Sequence, residues 1–322
     1  MFKDIKQVMK DSVLYGIGNV AVKLVGFILI PLYTDAEYFS TADYGLMGLL
    51  EVTSQILIAV MGLSLYSGLI RWYWDAEYRD KQKTIFFTTL LFTILTSLCI
   101  GSVLWLNVGE LSALLVQQEG YSLGGELPYI LQLLILTSML GAVVEVPQNL
   151  LRLQRKPIYY SLTNIVRLFV TLVLTIYFTI SLHRGVSGVY EAQLVGIVIQ
   201  LLMVLPLVIK NSSCRVDRRC TIQLLAYSYP LVFPAIVGSL LTVFARYIIN
   251  HFQGLDDVGF YSLGYKVGNT LKVFIVTSVQ LALTPLLMKK MNDPDNKQFY
   301  SKVLTYFSFG LMFCALGLNL FS

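Results

Sequence analysis

The chain's 322 residues are 56% apolar and only 13% charged, with a mean hydropathy of +0.68. That composition excludes one or two soluble domains and places the chain in a membrane. The net charge of +5 does not argue for nucleic acid, because the basic residues are spread over short loops with no recognisable binding motif.

Nine apolar stretches follow in chain order, at approximately 12–33, 44–66, 84–108, 127–151, 158–182, 190–209, 224–250, 258–288 and 299–322. A helix needs roughly 18 to 20 apolar residues to cross hydrocarbon about 30 Å thick. The runs Thr84 to Gly109, Leu127 to Val144 and Ala192 to Ile209 reach that length without one charged residue. Alternating ten-residue segments of a β-barrel are absent, so helices satisfy the backbone in lipid. The expected fold class is an all-α membrane protein, a polytopic helical bundle. The first stretch is too long for a secretory signal and lacks a small-residue cleavage site, so it is expected to stay as structure.

The cysteines Cys99, Cys214, Cys220 and Cys314 are scattered, which gives neither a disulfide framework nor a zinc site, and no metal is expected. The sequon at Asn211 to Ser213 reads as an ordinary polar loop.

Loop charge orients the bundle. Basic residues gather in alternate loops: Lys3, Lys6 and Lys10; Arg71, Arg79, Lys81 and Lys83; Arg152, Arg155 and Lys156; Lys210, Arg215, Arg218 and Arg219; Lys289, Lys290 and Lys297. The intervening loops carry one basic residue, Arg184, with Asp35, Glu37, Asp43, Glu110, Glu119, Glu126, Asp256 and Asp257. The basic end is therefore expected in the cytoplasm, with the N-terminus, and the acidic end outside. All loops are short, and none offers a domain in which an enzyme could align two substrates, so an enzyme is not expected.

Sliding the chain along itself by 215 residues lays Asp80-Lys81-Gln82-Lys83 on Asp295-Asn296-Lys297-Gln298, and the third stretch on the ninth. Span order, loop polarity and loop length match together, as in a transporter built from two homologous halves. The expected architecture is two pseudo-symmetric six-helix lobes with the second incomplete. Residues 1–210 form the N-terminal lobe, 211–220 a cytoplasmic linker, and 221–322 the first three helices of the C-terminal lobe.

Ionisable residues deep in a span are costly and usually face the bundle interior or a wet cavity. Here they fall on polar stripes at helical spacing. The stripes are Ser12, Gly16, Asn19, Lys23 and Gly26; Gly48, Glu51, Gln55 and Gly62; Tyr160, Asn164, Arg167, Thr171 and Thr175; Ser239, Thr242, Arg246 and Asn250; and Ser262, Lys266, Asn269 and Lys272. The cations Lys23, Arg167, Arg246, Lys266 and Lys272 outnumber the carboxylates Glu51 and Glu145, which suits an anionic cargo such as a phosphate or pyrophosphate. Lys23 and Arg167 lie too deep to snorkel, whereas Arg246 is placed either to line the cavity or to reach the interface. Glu51 and Glu145 fit either structural ion pairs or sites for a coupling Na+ or H+. Gly16 and Gly18 suit close helix packing, and Pro31, Pro230 and Pro234 bend their helices.

The stretch Gly16-Ile-Gly-Asn19, Lys23, Gly26-Phe-Ile-Leu-Ile-Pro-Leu-Tyr-Thr34, Asp43-Tyr44-Gly45 and Met61-Gly-Leu-Ser-Leu-Tyr-Ser-Gly-Leu-Ile-Arg71 resembles the amino-terminal signature of bacterial polysaccharide repeat-unit flippases (O-antigen and capsule). These belong to the multidrug/oligosaccharidyl-lipid/polysaccharide exporter superfamily. The resemblance implies two six-helix lobes around a central cavity in the bacterial inner membrane. It further implies alternating access that carries an undecaprenyl-pyrophosphate-linked oligosaccharide to the outer leaflet, with no cofactor beyond a coupling ion. The cavity cations would then offset the pyrophosphate, with Asn19, Gln55, Asn164 and Asn269 contacting sugar hydroxyls. The implied partners are the lipid-linked oligosaccharide, membrane lipid, a polysaccharide polymerase and a chain-length regulator. Rival readings are a cation-coupled multidrug exporter or a lipid II flippase of the same superfamily, and less favourably a membrane polysaccharide polymerase or ligase.

Overall fold

The computed structural model describes residues 29–74, 76–115, 125–213, 215–271 and 296–321. Lys23, Asn19 and Lys272 lie outside the described residues, as do most of the first stretch and the later part of the eighth.

In chain order the helices are α1 (Ile30–Tyr33), α2 (Thr41–Gly62), α3 (Leu65–Trp72), α4 (Gln82–Leu106), α5 (Val108–Leu115), α6 (Leu127–Leu153), α7 (Pro157–Ile176), α8 (Gly185–Asn211), α9 (Arg218–Phe252), α10 (Leu255–Leu271) and α11 (Asn296–Phe321). A 3-10 segment, Ala76–Lys81, precedes α4, and a π-helical turn, Tyr177–Ser181, extends α7. No strand occurs among the described residues. Five helices are long and apolar enough to cross a membrane: Thr41–Gly62, Gln82–Leu106, Leu127–Leu153, Pro157–Ser181 and Gly185–Asn211. They coincide with the second to sixth expected spans.

Local chemistry sets the ends of these helices. At the start of α2, Asp43 N–H donates to Ser40 Oγ at 3.1 Å and Ser40 N–H donates to Asp43 Oδ2 at 2.9 Å, a reciprocal capping box. Pro157 opens α7, where its missing N–H costs nothing. Asp217 caps α9, its carboxylate accepting from Arg219 N–H at 2.9 Å and Cys220 N–H at 3.4 Å. Gly254, with φ of 99°, makes the tight turn from α9 into α10.

The second expected span departs from one continuous helix. α2 ends at Gly62, Leu63 and Ser64 adopt left-handed backbone with φ of 45° and 50°, and α3 resumes at Leu65. For an ordinary side chain that conformation costs about 1–2 kcal/mol per residue, so tertiary contacts must hold it. Thr96 Oγ1 on α4 donates to Met61 O at 2.7 Å. Leu65 and Leu69 on α3 are fully buried with Phe86, Leu150 and Leu151. The seventh span is also longer than expected, running Arg218–Phe252 through Pro230 and Pro234.

The core lies where α2, α6 and α8 meet, around Leu46, Leu49, Leu50, Ile130, Leu134 and Ile135. Large apolar side chains point outward from α4, α7 and α8, among them Leu106, Ile158, Phe169, Leu202 and Ile209. In water such a surface would drive aggregation, whereas in hydrocarbon it is the expected solvent-facing side.

The starts of α2 and α10, and of α4 and α11, are each 214 residues apart. Helix spacing thus repeats at the interval that the residue pattern gave. α9 runs antiparallel along both α2 and α3: a Cβ on Gly68 would lie 3.0 Å from Ser228 Oγ, while Thr53 and Tyr247 hydroxyls bond at 2.7 Å. α10 presses on α2 through glycines. A Cβ on Gly45 would collide with the Leu255 carbonyl, and one on Gly259 would stand 2.5 Å from Thr41 O. In a membrane, where apolar burial does not drive helices together, such close approach supplies the packing that does.

Candidate functional site

α2, α9 and α10 meet toward the acidic end of the bundle, and polar residues of all three converge there. Arg246, on α9, is 5% exposed. Its Nε donates to Ser262 Oγ on α10 at 3.0 Å, and its guanidinium lies 4.9 Å from the Tyr265 ring centroid and 5.9 Å from that of Tyr261. The approach is possible because Gly48 faces it: a Cβ there would collide with Ser262 and sit 3.8 Å from Arg246 Nε. Lys266, one turn further along α10, holds its ammonium 5.5 Å from the Tyr33 centroid and 5.8 Å from that of Tyr44. A cation over an aromatic face is attracted by the ring quadrupole, so Tyr33, Tyr44, Tyr261 and Tyr265 make this seam hospitable to positive charge without neutralising it.

Glu51 is exposed on α2, near enough to act electrostatically on Lys266, Tyr33 and Tyr44. No ion pair to it occurs among the described residues. Gln55 is exposed one turn on, on the same face. Of the expected stripe, Asn269 is half-buried on α10.

A second group joins α7 to α8. Arg167 Nη1 donates to Gln200 Oε1 at 3.1 Å, Gln200 Nε2 donates to Asn164 Oδ1 at 3.0 Å, and Asn164 Nδ2 donates to Tyr160 O at 2.8 Å. Gly196 admits the contact, since a Cβ there would collide with Thr171 Oγ1. Arg167 and Asn164, expected on one stripe, are thus linked through Gln200. Glu145 stands apart from both groups, on α6 beside Gly62.

Gln200 and the tyrosines of the seam did not stand out in the residue pattern. Tyr261 and Tyr265 do lie one turn apart on the face of α10 that precedes Lys266, and 20 tyrosines in 322 residues is a visible excess. No group of three or more His, Cys, Asp or Glu side chains suited to a metal occurs among the described residues.

At the basic end, Lys81 Nζ and Asp217 Oδ2 pair at 2.6 Å, joining the segment before α4 to the cap of α9. Lys81 holds the Asp217 carboxyl below its ordinary range, helped by the Arg219 N–H, while Asp217 raises the Lys81 ammonium. Tyr78 donates to Gln223 beside it.

Residues 8–291 match the polysaccharide biosynthesis protein family, and the chain belongs to that family. Among curated proteins none matches the chain. Three solved structures show the fold. An inward-facing multidrug resistance MATE family transporter of the MOP superfamily is 15% identical, with a TM-score of 0.63 over 93% of this chain and 68% of the other. The outward-facing conformation of such a transporter is 18% identical, at 0.62 over 88% and 64%. A MOP superfamily transporter from Pyrococcus furiosus is 15% identical, at 0.66 over 95% and 72%. The likeness is to the fold itself, equal for both facing states. Family and fold together point to a membrane transporter or flippase of this superfamily.

Proposed function

We propose that the chain moves an undecaprenyl-pyrophosphate-linked oligosaccharide repeat unit from the inner to the outer leaflet of the bacterial inner membrane, for surface polysaccharide synthesis such as O-antigen or capsule. The observation that carries this reading is the gathering of Arg246 and Lys266 among four tyrosines at the seam of α2, α9 and α10. Pyrophosphate is recognised by clustered guanidinium and ammonium groups, and tyrosine rings offer apolar faces with a polar edge to sugars. Arg167, held by Gln200, supplies a further cation, and Lys23 and Lys272 are proposed to join the set. Asn19, Gln55, Asn164 and Asn269 are proposed to contact the sugar. The basic end lies in the cytoplasm with the N-terminus, and residues 1–210 and 221–322 belong to the two lobes. A polymerase and a chain-length regulator are the partners that would receive the cargo. Glu51 or Glu145 takes a coupling Na+ or H+, and no other cofactor is proposed.

A multidrug exporter is the rival reading, favoured by the names of the solved structures. Organic cations need acidic cavity walls, and against Arg246 and Lys266 the seam offers one carboxylate, Glu51. The similar Pyrococcus furiosus protein is described as having a binding pocket of reverse polarity that suggests a different function, which parallels this cationic seam. Expression in a bacterium lacking its own repeat-unit flippase tests the reading. Restored surface polysaccharide supports it, and drug resistance without polysaccharide contradicts it.

A further inference from the structure

The break between α2 and α3 creates a place where hydrogen-bond acceptors meet without donors. The last turn of a helix leaves carbonyls unpaired, and here the chain does not continue to satisfy them. Leu63 N–H turns back to Val60 O at 3.3 Å, and Thr96 Oγ1 takes Met61 O at 2.7 Å. Among the described residues no donor reaches the carbonyl of Gly62 or of Leu63. Gly62 is buried.

Glu145, on α6, lies against this end of α2, its Oε2 3.9 Å from where a Cβ on Gly62 would stand. Its carboxylate has neither a hydrogen bond nor an ion pair among the described residues. Only its backbone takes part, accepting from Asn149 Nδ2 at 3.0 Å. The titratable and charged groups that face it are Tyr66 from α3 and Arg152 from its own helix. The Arg152 guanidinium is engaged by Tyr160, through a hydrogen bond to its hydroxyl and a cation–π contact at 4.7 Å. Among the described residues α2, α4, α7 and α8 add no further charge at Glu145.

Two acceptors thus face each other at membrane depth, and the negative pole of α2 points at the same spot. Interrupted membrane helices present carbonyls and C-terminal ends to cations in this manner. We infer that the Glu145 carboxylate and the Gly62 carbonyl form a site for one small monovalent cation, either a proton on Oε2 that is donated to Gly62 O or a Na+ ion between them. This deepens the coupling-ion part of the proposed function and assigns that role to Glu145 in place of Glu51. Loading the site ties α6 to the end of α2, and emptying it frees the break, so occupancy controls the angle between α2 and α3.

The purified chain reports this without any cargo, so the result is independent of whether lipid-linked sugar is flipped. Trp72 ends α3 and Trp74 follows it, which makes tryptophan fluorescence a reporter of the break. A saturable change is expected on adding NaCl at constant ionic strength against choline chloride, or on lowering pH in sodium-free buffer. Whichever arm responds identifies the cation. Glu145→Gln should lose the response, because the neutral amide itself donates to Gly62 O. Glu145→Asp, shorter by one methylene, should keep it at a higher midpoint, and Glu51→Gln should leave it intact. The proposal is overturned by no saturable response in either arm, by a response that survives Glu145→Gln, by an unchanged midpoint in Glu145→Asp, or by loss in Glu51→Gln.

Discussion

Arg246 and Ser262 join α9 to α10 through a 3.0 Å hydrogen bond inside a seam that two glycines of α2, Gly45 and Gly48, allow to close. Charge and close packing therefore occupy one layer, and changing either should disturb both stability and transport.

Replacing Arg246 by Ala removes a charge-assisted hydrogen bond and two ring contacts. A hydrogen bond to a charged group is worth about 1.5–3 kcal/mol, with a further ~0.5–1 kcal/mol from each cation–π contact. We expect a lowered melting temperature and strongly reduced transport. Arg246→Lys should recover part of the transport, since it keeps the charge but loses the planar fork. Thermal unfolding in detergent and transport in cells measure the two effects.

Gly45→Ala places a methyl against the Leu255 carbonyl backbone, which cannot rotate away. Overpacking of this kind costs roughly 1–3 kcal/mol. The expected result is a looser acidic end, read as faster thiol labelling of a cysteine introduced at Ser262. Labelling at the wild-type rate would contradict the account.

The Arg167–Gln200–Asn164 chain should respond as a unit. Gln200 is 1% exposed, so Arg167→Ala leaves its carbonyl buried without a donor, at about 1–3 kcal/mol. In a double-mutant cycle, Arg167→Ala and Gln200→Leu together should cost less than the sum of the single changes.

Lys81 and Asp217 give a pH dependence of known sign. Asp217 titrates lower in the folded chain, so its contribution is present above the unfolded carboxyl value of about 4 and is lost as pH falls through the folded value. Lys81 titrates higher, so its contribution is present below its unfolded value and is lost as pH rises through the folded one. The melting-temperature gap between wild type and Asp217→Asn should therefore be flat across neutral pH and close in acid. Salt should also narrow it, because the pair is exposed to solvent.

The second to sixth spans were legible because an uncharged run of about 20 residues has few alternatives to a membrane helix. The 215-residue repeat was legible from loop polarity, and the helix starts reproduce it to within one residue. The break at Leu63 and Ser64 was not legible, since neither residue is the Gly or Pro that marks such backbone. Its cause is tertiary: Thr96 is 35 positions away from the carbonyl it holds. Arg246 and Lys266 were legible as costly charges in a span. That each would lie over tyrosines from distant or neighbouring turns required the packing of α2 against α10. Glu145 shows the same limit, because its apposition to Gly62 depends on how α6 crosses α2.

The central claim, a cationic seam that carries a pyrophosphate-linked oligosaccharide, is tested most directly in liposomes holding the purified chain and a fluorescent undecaprenyl-pyrophosphate oligosaccharide, with leaflet exchange read by a membrane-impermeant quencher. The account predicts exchange that requires the chain and is abolished in the Arg246→Gln, Lys266→Gln double variant, whose correct folding is checked by its melting curve. Exchange at the wild-type rate in a folded double variant would contradict it.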